Sequence, residues 1–102
     1  MVINLKANEM VVKAADGLHI ADQEKIYGKF IVTNQRIYFI SKENRYDSHN
    51  REILPEHIRE IIYIKGEKLF SKGLNVVTHE GGNLKFIMKK RNEFGELINK
   101  MY

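Results

Sequence analysis

The stretch that decides the fold is GKFIVTNQRIYFI, residues 28–40. On each side of the polar pair Asn34-Gln35, every second residue is β-branched or aromatic: Phe30, Val32, Ile37 and Phe39. A period of two, interrupted by a short turn that contains asparagine, predicts a β-hairpin. The rest of the chain is interpreted outward from this hairpin.

Further strands are predicted on both sides, each a short apolar run bounded by polar or turn-forming residues. The predicted strands are 10–15, 25–33, 36–41, 51–54, 58–64, 74–78 and 84–88. A loop around Asp16-Gly17 follows the first strand, residues 42–50 form a second loop, and Pro55-Glu56-His57 begins a tight turn. No linker or repeat divides the chain, so we expect a single domain over residues 1–102.

The last predicted hairpin turns at Glu80-Gly81-Gly82, and the apolar pattern fixes its register. A two-residue turn at the glycines would place Val77 beside Phe86 and leave polar residues on the same face. A three-residue loop, with Gly82 at a positive φ, instead gathers the apolar residues of both strands: Leu74, Val76, Leu84, Phe86 and Met88. The three-residue loop is therefore predicted.

The end of the chain changes to the period of a helix. The spacing i, i+3, i+4 and i+7 forms one apolar stripe: Phe94, Leu97, Ile98 and Met101. Asn92 is predicted to cap a helix over residues 92–102. The fold class is therefore mainly β, with about seven antiparallel strands in two bent sheets, capped by a C-terminal helix.

Composition restricts the class of protein. The chain has 102 residues, of which 43% are hydrophobic and 29% charged, as in an ordinary globular domain. It has no cysteine, no apolar run long enough to span a bilayer, and no signal-peptide pattern at its start, which favours a cytoplasmic protein. The net charge of +4 fits either solubility or an anionic partner.

Five residues in and beside the hairpin also carry a family resemblance: Gly28, Thr33, Asn34, Arg36 and Phe39. Together with ILPEHIREI at 53–61, they resemble the signature of the GRAM domain, a member of the pleckstrin-homology (PH)-like group. The resemblance covers residues 7–102 and departs at Tyr102, where relatives often carry tryptophan. It implies a PH-like barrel of bent antiparallel sheets with a helix at one open end. It also implies docking rather than catalysis, with the five motif residues structural.

The residues form no catalytic constellation. The histidines stand singly at positions 19, 49, 57 and 79, without the spacing of a metal site. Ser41, Ser48 and Ser71 lack the context of a nucleophile elbow, and no glycine-rich phosphate loop occurs. We therefore predict that the protein is not an enzyme and needs no metal or cofactor.

Arg36 has two interpretations. As a functional residue it would contact an anion. As a structural residue it would tie the hairpin turn to a carboxylate or carbonyl group, since its guanidinium is a rigid fork of donors. The structural role is favoured, because Arg36 directly follows the predicted turn.

Two basic clusters are candidates for binding an anionic surface. The first combines lysines with an apolar pair: Lys65, Lys68, Leu69, Phe70 and Lys72. If this loop projects, the apolar pair would enter a membrane interface while the lysines meet anionic headgroups. Otherwise the pair extends a strand or folds back under the barrel. The second and weaker candidate is Lys89-Lys90-Arg91, for which a solvated charge run is the alternative.

The loops that hold inositol phosphates in PH-like relatives correspond here to residues 14–24, 41–50 and 79–83. They contain four acidic residues without matching cations: Asp16, Asp22, Glu24 and Glu80. Because a phosphate needs several converging cations, the pattern argues against a phosphoinositide at that place.

The sequence thus predicts a PH-like docking module for a protein partner or an anionic membrane surface, cytoplasmic or peripheral to the membrane. Self-association through sheet edges is a further expectation. The alternative is nonspecific nucleic-acid binding through the lysine clusters, which is weaker because no arginine and aromatic platform accompanies them. Any membrane association is expected to be weak, salt-sensitive and unselective among inositol headgroups.

Overall fold

The computed structural model of the chain describes residues 4–43, 48–65 and 72–102. Its elements are β1 (Val11–Ala21), β2 (Glu24–Thr33), β3 (Ile37–Ser41), β4 (Arg51–Ile53), β5 (Ile58–Ile64), β6 (Gly73–Thr78), β7 (Asn83–Met88) and α1 (Arg91–Asn99). A 3₁₀ turn, Pro55–His57, joins β4 to β5. The predicted class, mainly β with seven antiparallel strands and a C-terminal helix, is confirmed.

The strands form one half-barrel sheet in the order β4-β3-β2-β1-β7-β6-β5. β1 pairs with β2 along its length but with β7 only from Gly17 to Ile20, so it belongs to both halves of the sheet. The two predicted sheets are therefore joined through β1 rather than separate. The helix packs mainly on β5 and also contacts β2 and β6, which closes one side of the core.

The first hairpin has longer strands than predicted. β1 continues through Asp16-Gly17, where the sequence predicts a loop, and the chain turns only at Asp22-Gln23. Both turn residues have positive φ, 47° and 72°, as in a type I′ turn between two twisted strands. Gly17 is needed inside the strand because a Cβ there would lie 2.5 Å from the Ile87 carbonyl oxygen. This glycine permits the close approach of a neighbouring strand rather than a turn.

The last hairpin has a three-residue loop, as predicted, but it lies one residue earlier in the chain. Val77 pairs with Asn83, so the loop is 79–81. The Gly81 amide donates to the Thr78 carbonyl oxygen at 3.0 Å, and the positive φ of 88° belongs to Gly81, so its assignment to Gly82 is wrong. The Thr78 hydroxyl favours this register because it accepts a hydrogen bond from the Gly82 amide at 3.0 Å. The inward-facing residues are unchanged, because moving the loop by one residue shifts the pairing by two: Val76 pairs with Leu84 rather than with Phe86.

The core lies between the sheet and the helix. Its largest members are four phenylalanines that are each at most 1% exposed: Phe30, Phe39, Phe86 and Phe94. Phe94 and Ile98 of α1 are fully buried, and the other two residues of the stripe pack on the same cluster, which confirms the predicted apolar stripe.

The ends of the helix differ from the prediction. Asn92 is not the N-cap, because the helix begins earlier, at Arg91, and it ends at Asn99 rather than at residue 102. Lys90 precedes the helix with a φ of 60°, a left-handed conformation that turns the chain sharply from β7 into α1. Tyr102 then accepts a hydrogen bond from the Ile61 amide at 3.1 Å, which occupies one backbone group of β5.

Candidate functional site, a basic groove

The motif residues serve the fold. A Cβ on Gly28 would collide with the Ile40 carbonyl oxygen, and Phe39 is part of the core. The Asn34 side chain accepts a hydrogen bond from the Met10 amide at 2.8 Å and donates to the Asn8 carbonyl oxygen at 3.0 Å. The Asn34 amide group therefore binds the segment before β1 to the β2–β3 turn.

Arg36 is 5% exposed and lies against Glu9, whose side chain is fully buried. Its Nε and Nη2 atoms each donate to one carboxylate oxygen of Glu9, both at 2.8 Å. Nη1 donates to Glu52, and Nη2 also donates to the Asn4 carbonyl oxygen at 2.9 Å. Four of the five guanidinium donors are thus used within the chain. The geometry supports the structural interpretation of Arg36.

The same contacts shift both pKa values. The hydrogen bonds from Arg36 lower the pKa of Glu9 to about 2, against the opposing effect of burial. The hydrogen bonds to Glu9 likewise raise the pKa of Arg36. Thr33 supports the arrangement, because its hydroxyl donates to the Glu9 carboxylate at 2.7 Å. The Glu9–Arg36 pair is therefore charged at neutral pH.

The two basic clusters that are separate in the sequence meet at one groove. The groove has a volume of about 750 Å³, within the range of ligand pockets. Lys72 lies near Lys89-Lys90-Arg91 because the Met88 amide donates to the Lys72 carbonyl oxygen at 3.2 Å. Lys42 joins them from the end of β3, where its amide donates to the Tyr27 carbonyl oxygen at 2.9 Å. We call these five cationic residues the rim of the groove.

The rim gives the groove a positive potential. Among the described residues that line it, Asp16 is the one with a carboxylate. Lys29 pairs with Asp16 across β1 and β2 and offsets its charge. Some of the hydrogen-bonding capacity of Arg91 is already used within the chain. Its Nη1 atom donates to the Ile64 carbonyl oxygen, and its guanidinium lies 5.7 Å from the Tyr63 ring centroid. An anion in the groove would meet an excess of positive charge.

The floor of the groove is apolar. Leu18 pairs with Tyr27 on β2 and with Ile87 on β7, so these side chains form a row across three strands. The row lies on the outer face of the sheet, because the next residue, His19, points into the core. Tyr27 is 64% exposed. We call these three residues the apolar row.

Some of the predicted site residues line the groove and others do not. Lys65 and Lys72 are exposed, but Lys65 does not line the groove, and Lys68, Leu69 and Phe70 lie outside the described residues. All three residues of the second cluster line it. Sequence reasoning missed Lys42, the apolar row and the position of Asp16, because these depend on strand pairing. One feature of the sequence could have indicated the apolar row. Tyr27 is an aromatic residue at an outward-facing position of its strand, between the inward-facing Ile26 and Gly28.

His19 is a buried titratable residue outside the groove. Its Nδ1 atom lies 2.9 Å from the Lys85 carbonyl oxygen and donates to it, while Nε2 has no partner within the described part of the chain. The ring stacks on Phe86, with 4.8 Å between centroids, and Phe39 lies 5.5 Å away. Burial lowers the pKa of His19.

The described ranges contain no group of three side chains placed to hold a metal ion. In the same ranges, no helix has the length and hydropathy needed to cross a bilayer.

Neither the models of known families nor the curated proteins gave a match to this chain. Solved structures do match. The C-terminal domain of an unknown protein from Leishmania infantum superposes with a TM-score of 0.78 at 18% identity, over 93% of this chain and 85% of that chain. The Vps36 N-terminal PH domain superposes with a TM-score of 0.68 at 16% identity, over 95% and 84%. The fold is PH-like.

A PH-like fold accounts for the half-barrel and the closing helix that the sequence predicts. At such low identity the similarity establishes the fold alone. Membership of the GRAM family stays a prediction, supported by the five motif residues. The function of this PH-like chain has to be argued from its own groove.

Proposed function

We propose that this PH-like chain is a non-enzymatic docking module whose basic groove binds an anionic membrane surface. The observation that carries the proposal is the meeting of Lys72 with Lys89-Lys90-Arg91 above an apolar floor. PH-like folds commonly mediate lipid or protein binding. The location that fits this function is the cytoplasmic surface of a membrane, with the protein bound peripherally.

The rim and the floor suit the two layers of a membrane interface. Each lysine or arginine near an anionic surface contributes about 1 kcal/mol, so several together give measurable but salt-sensitive binding. An exposed tyrosine is an amphipathic ring of the kind that is enriched at the level of lipid headgroups. Tyr27 provides this ring beside Lys42.

Other functions fit the groove less well. Nonspecific nucleic-acid binding uses several aromatic rings as stacking platforms, and Tyr27 is the one aromatic residue of the described lining. Catalysis would require an activated general base or nucleophile, and the one carboxylate of the described lining, Asp16, pairs across the strands with Lys29. A protein partner with acidic residues remains the main competitor, and the experiment includes it as an outcome.

The test is sedimentation with vesicles of phosphatidylcholine alone or mixed with phosphatidylserine, at low and high salt. We expect binding to the mixed vesicles only, and loss of binding in high salt. A triple variant at the rim, Lys42→Gln, Lys72→Gln and Lys90→Gln, should abolish it. The matched control is Lys6→Gln, Arg59→Gln and Lys100→Gln, which removes the same charge from residues outside the groove lining and should still bind.

Two results would overturn the proposal. One is equal loss of binding in the rim variant and its control, which would indicate a general charge effect. The other is binding to DNA or to an acidic peptide without binding to vesicles. A separate variant, Lys65→Gln with Lys68→Gln, measures whether the predicted cluster at 65–72 contributes apart from the groove.

A further inference from the structure

We infer that the groove holds one anionic amphiphile, a phosphate monoester with a single alkyl chain. The phosphate would lie at the rim and the chain along the apolar row. This inference rests on the groove of the proposed function and goes beyond it, because contact with a membrane surface needs the rim but no path for a chain.

The outer face of the sheet gives the chain a defined path. On one side of the apolar row, Asp16 pairs with Lys29, and on the other, Ile20 pairs with Lys25 and Lys85. Charged side chains therefore flank the row on both sides along the strands. An apolar chain would avoid these flanks and lie across the strands, over Tyr27, Leu18 and Ile87. The row crosses two strand spacings, about 10 Å.

Gly17 and Gly28 pair directly across β1 and β2, and both line the groove. Their neighbours Leu18 and Tyr27 face outward, so the vacant Cβ positions of the two glycines face the core, toward the buried Met88 and Phe39. The two glycines therefore contribute backbone to the groove, and their amide signals report on a ligand that lies there.

The two ends of the row differ in charge, which orients the ligand. At the Ile87 end, Gly73 pairs with Ile87, and this brings Lys72 next to the Lys89-Lys90-Arg91 segment. At the Tyr27 end Lys42 is the one described rim residue, and Lys25 and Lys29 lie two residues away along β2, with Lys29 opposite Asp16. A phosphate of nearly two negative charges is best met where cations from two segments converge. The phosphate therefore lies at the Ile87 end and the chain extends toward Tyr27.

The probes are dodecyl phosphate below its aggregation concentration, butyl phosphate with the same headgroup, and dodecyl maltoside with the same chain but no charge. Binding is followed by amide NMR shifts of the ¹⁵N-labelled protein, where glycine signals are well separated. We expect dodecyl phosphate to bind at least about tenfold more tightly than butyl phosphate, because more apolar surface leaves water. The Gly17 and Gly28 signals should shift with dodecyl phosphate, and dodecyl maltoside should bind weakly.

A matched pair of variants tests the apolar row. Tyr27→Ser and Met10→Ser each replace a residue about two-thirds exposed, at 64% and 66%, so both should stay folded. Tyr27→Ser should remove most of the preference for the longer chain, whereas Met10→Ser should keep it. Lys90→Gln should weaken both phosphate esters by a similar factor.

Each result separates this inference from the proposed function. Equal affinity for butyl and dodecyl phosphate, or shifts outside the groove, would overturn the inference while vesicle binding could still be observed. Tight dodecyl phosphate binding at Gly17 and Gly28, with no vesicle binding, would support the inference and overturn membrane docking. An unchanged chain preference in Tyr27→Ser would also overturn the inference.

Discussion

Arg36 and the rim of the groove use positive charge in opposite ways. Arg36 stands in the family motif, yet its guanidinium is buried and committed to Glu9, Glu52 and a backbone carbonyl. The rim lysines stand outside the motif and keep their charge at the surface. A cation in a motif is therefore no guide to where an anion binds, because its partners decide whether its charge is available.

Substitutions in the two regions should also affect different properties of the protein. Loss of the Arg36 pair leaves an uncompensated charge in the fold, which affects stability. Loss of a rim lysine removes an exposed charge, which affects binding. Four predictions, ordered from the largest expected effect to the smallest, measure stability and binding separately.

The largest expected effect comes from the residue that holds the helix beside the groove. Phe94 is fully buried and meets Phe30 edge to face, with 5.2 Å between centroids. Phe94→Ala should lower the free energy of unfolding by about 3–5 kcal/mol, measured by urea denaturation. Glu96→Ala, on the exposed face of the same helix, is the control and should change little. An unchanged melting temperature for Phe94→Ala would mean that the helix does not close the core.

The buried pair should come next. Arg36→Ala should cost about 3 kcal/mol of stability, because Glu9 loses its partner in a buried position. Binding to anionic vesicles should persist wherever the variant is folded. Arg59→Ala, which removes an exposed ion pair of 3.6 Å with Glu60, should cost less than about 0.5 kcal/mol. Loss of vesicle binding in folded Arg36→Ala would erase the distinction between the two regions.

A smaller effect is expected from His19 as the pH falls. Burial lowers its pKa in the folded protein below the ordinary value of 6.5, so the unfolded chain takes up the proton more readily. The contribution to stability is complete above pH 6.5 and decreases as the pH drops through that value toward the folded pKa. Chemical denaturation between pH 7.5 and pH 5 measures this decrease.

The control for the pH series is His57→Gln, since His57 is exposed. It should leave the pH dependence unchanged, whereas His19→Leu should flatten it. An identical slope in His19→Leu would assign the acid sensitivity to another group.

The smallest change in stability belongs to the rim. The triple variant Lys42→Gln, Lys72→Gln and Lys90→Gln should shift the free energy of unfolding by less than about 0.5 kcal/mol, because these side chains are exposed. The same variant should lose vesicle binding. Measured together by thermal denaturation and sedimentation, the two results would show a binding region that is independent of the fold. A large loss of stability would place the rim among the structural residues.

Strand periodicity was enough to predict the fold, because the alternation of apolar and polar residues is visible within each segment without knowledge of its partners. The predicted inward faces of β6 and β7 are correct although the loop lies one residue earlier, because the pairing shifts by two residues and side chains alternate with a period of two. Gly17 was misassigned because glycine favours turns and also permits close strand approach, and its closeness to Ile87 comes from a distant strand.

The groove could be predicted only in its parts. Lysines at residue 72 and at residues 89–90 are visible in the sequence, but their meeting depends on the pairing of β6 with β7. Glu9 likewise had no signal, because it lies 27 positions before its partner Arg36 in an irregular segment. Contacts between segments without a shared periodicity are what a single sequence does not reveal.

The attachment of Glu9 to Arg36 also bears on where this domain begins. The first strand starts at Val11, and a boundary drawn there from secondary structure would discard the carboxylate that neutralises a buried guanidinium. The irregular residues from Asn4 to Met10 are thus part of the cooperative folding unit, held by side chains rather than by a strand. Any fusion or trimming of this domain should leave those seven residues in place.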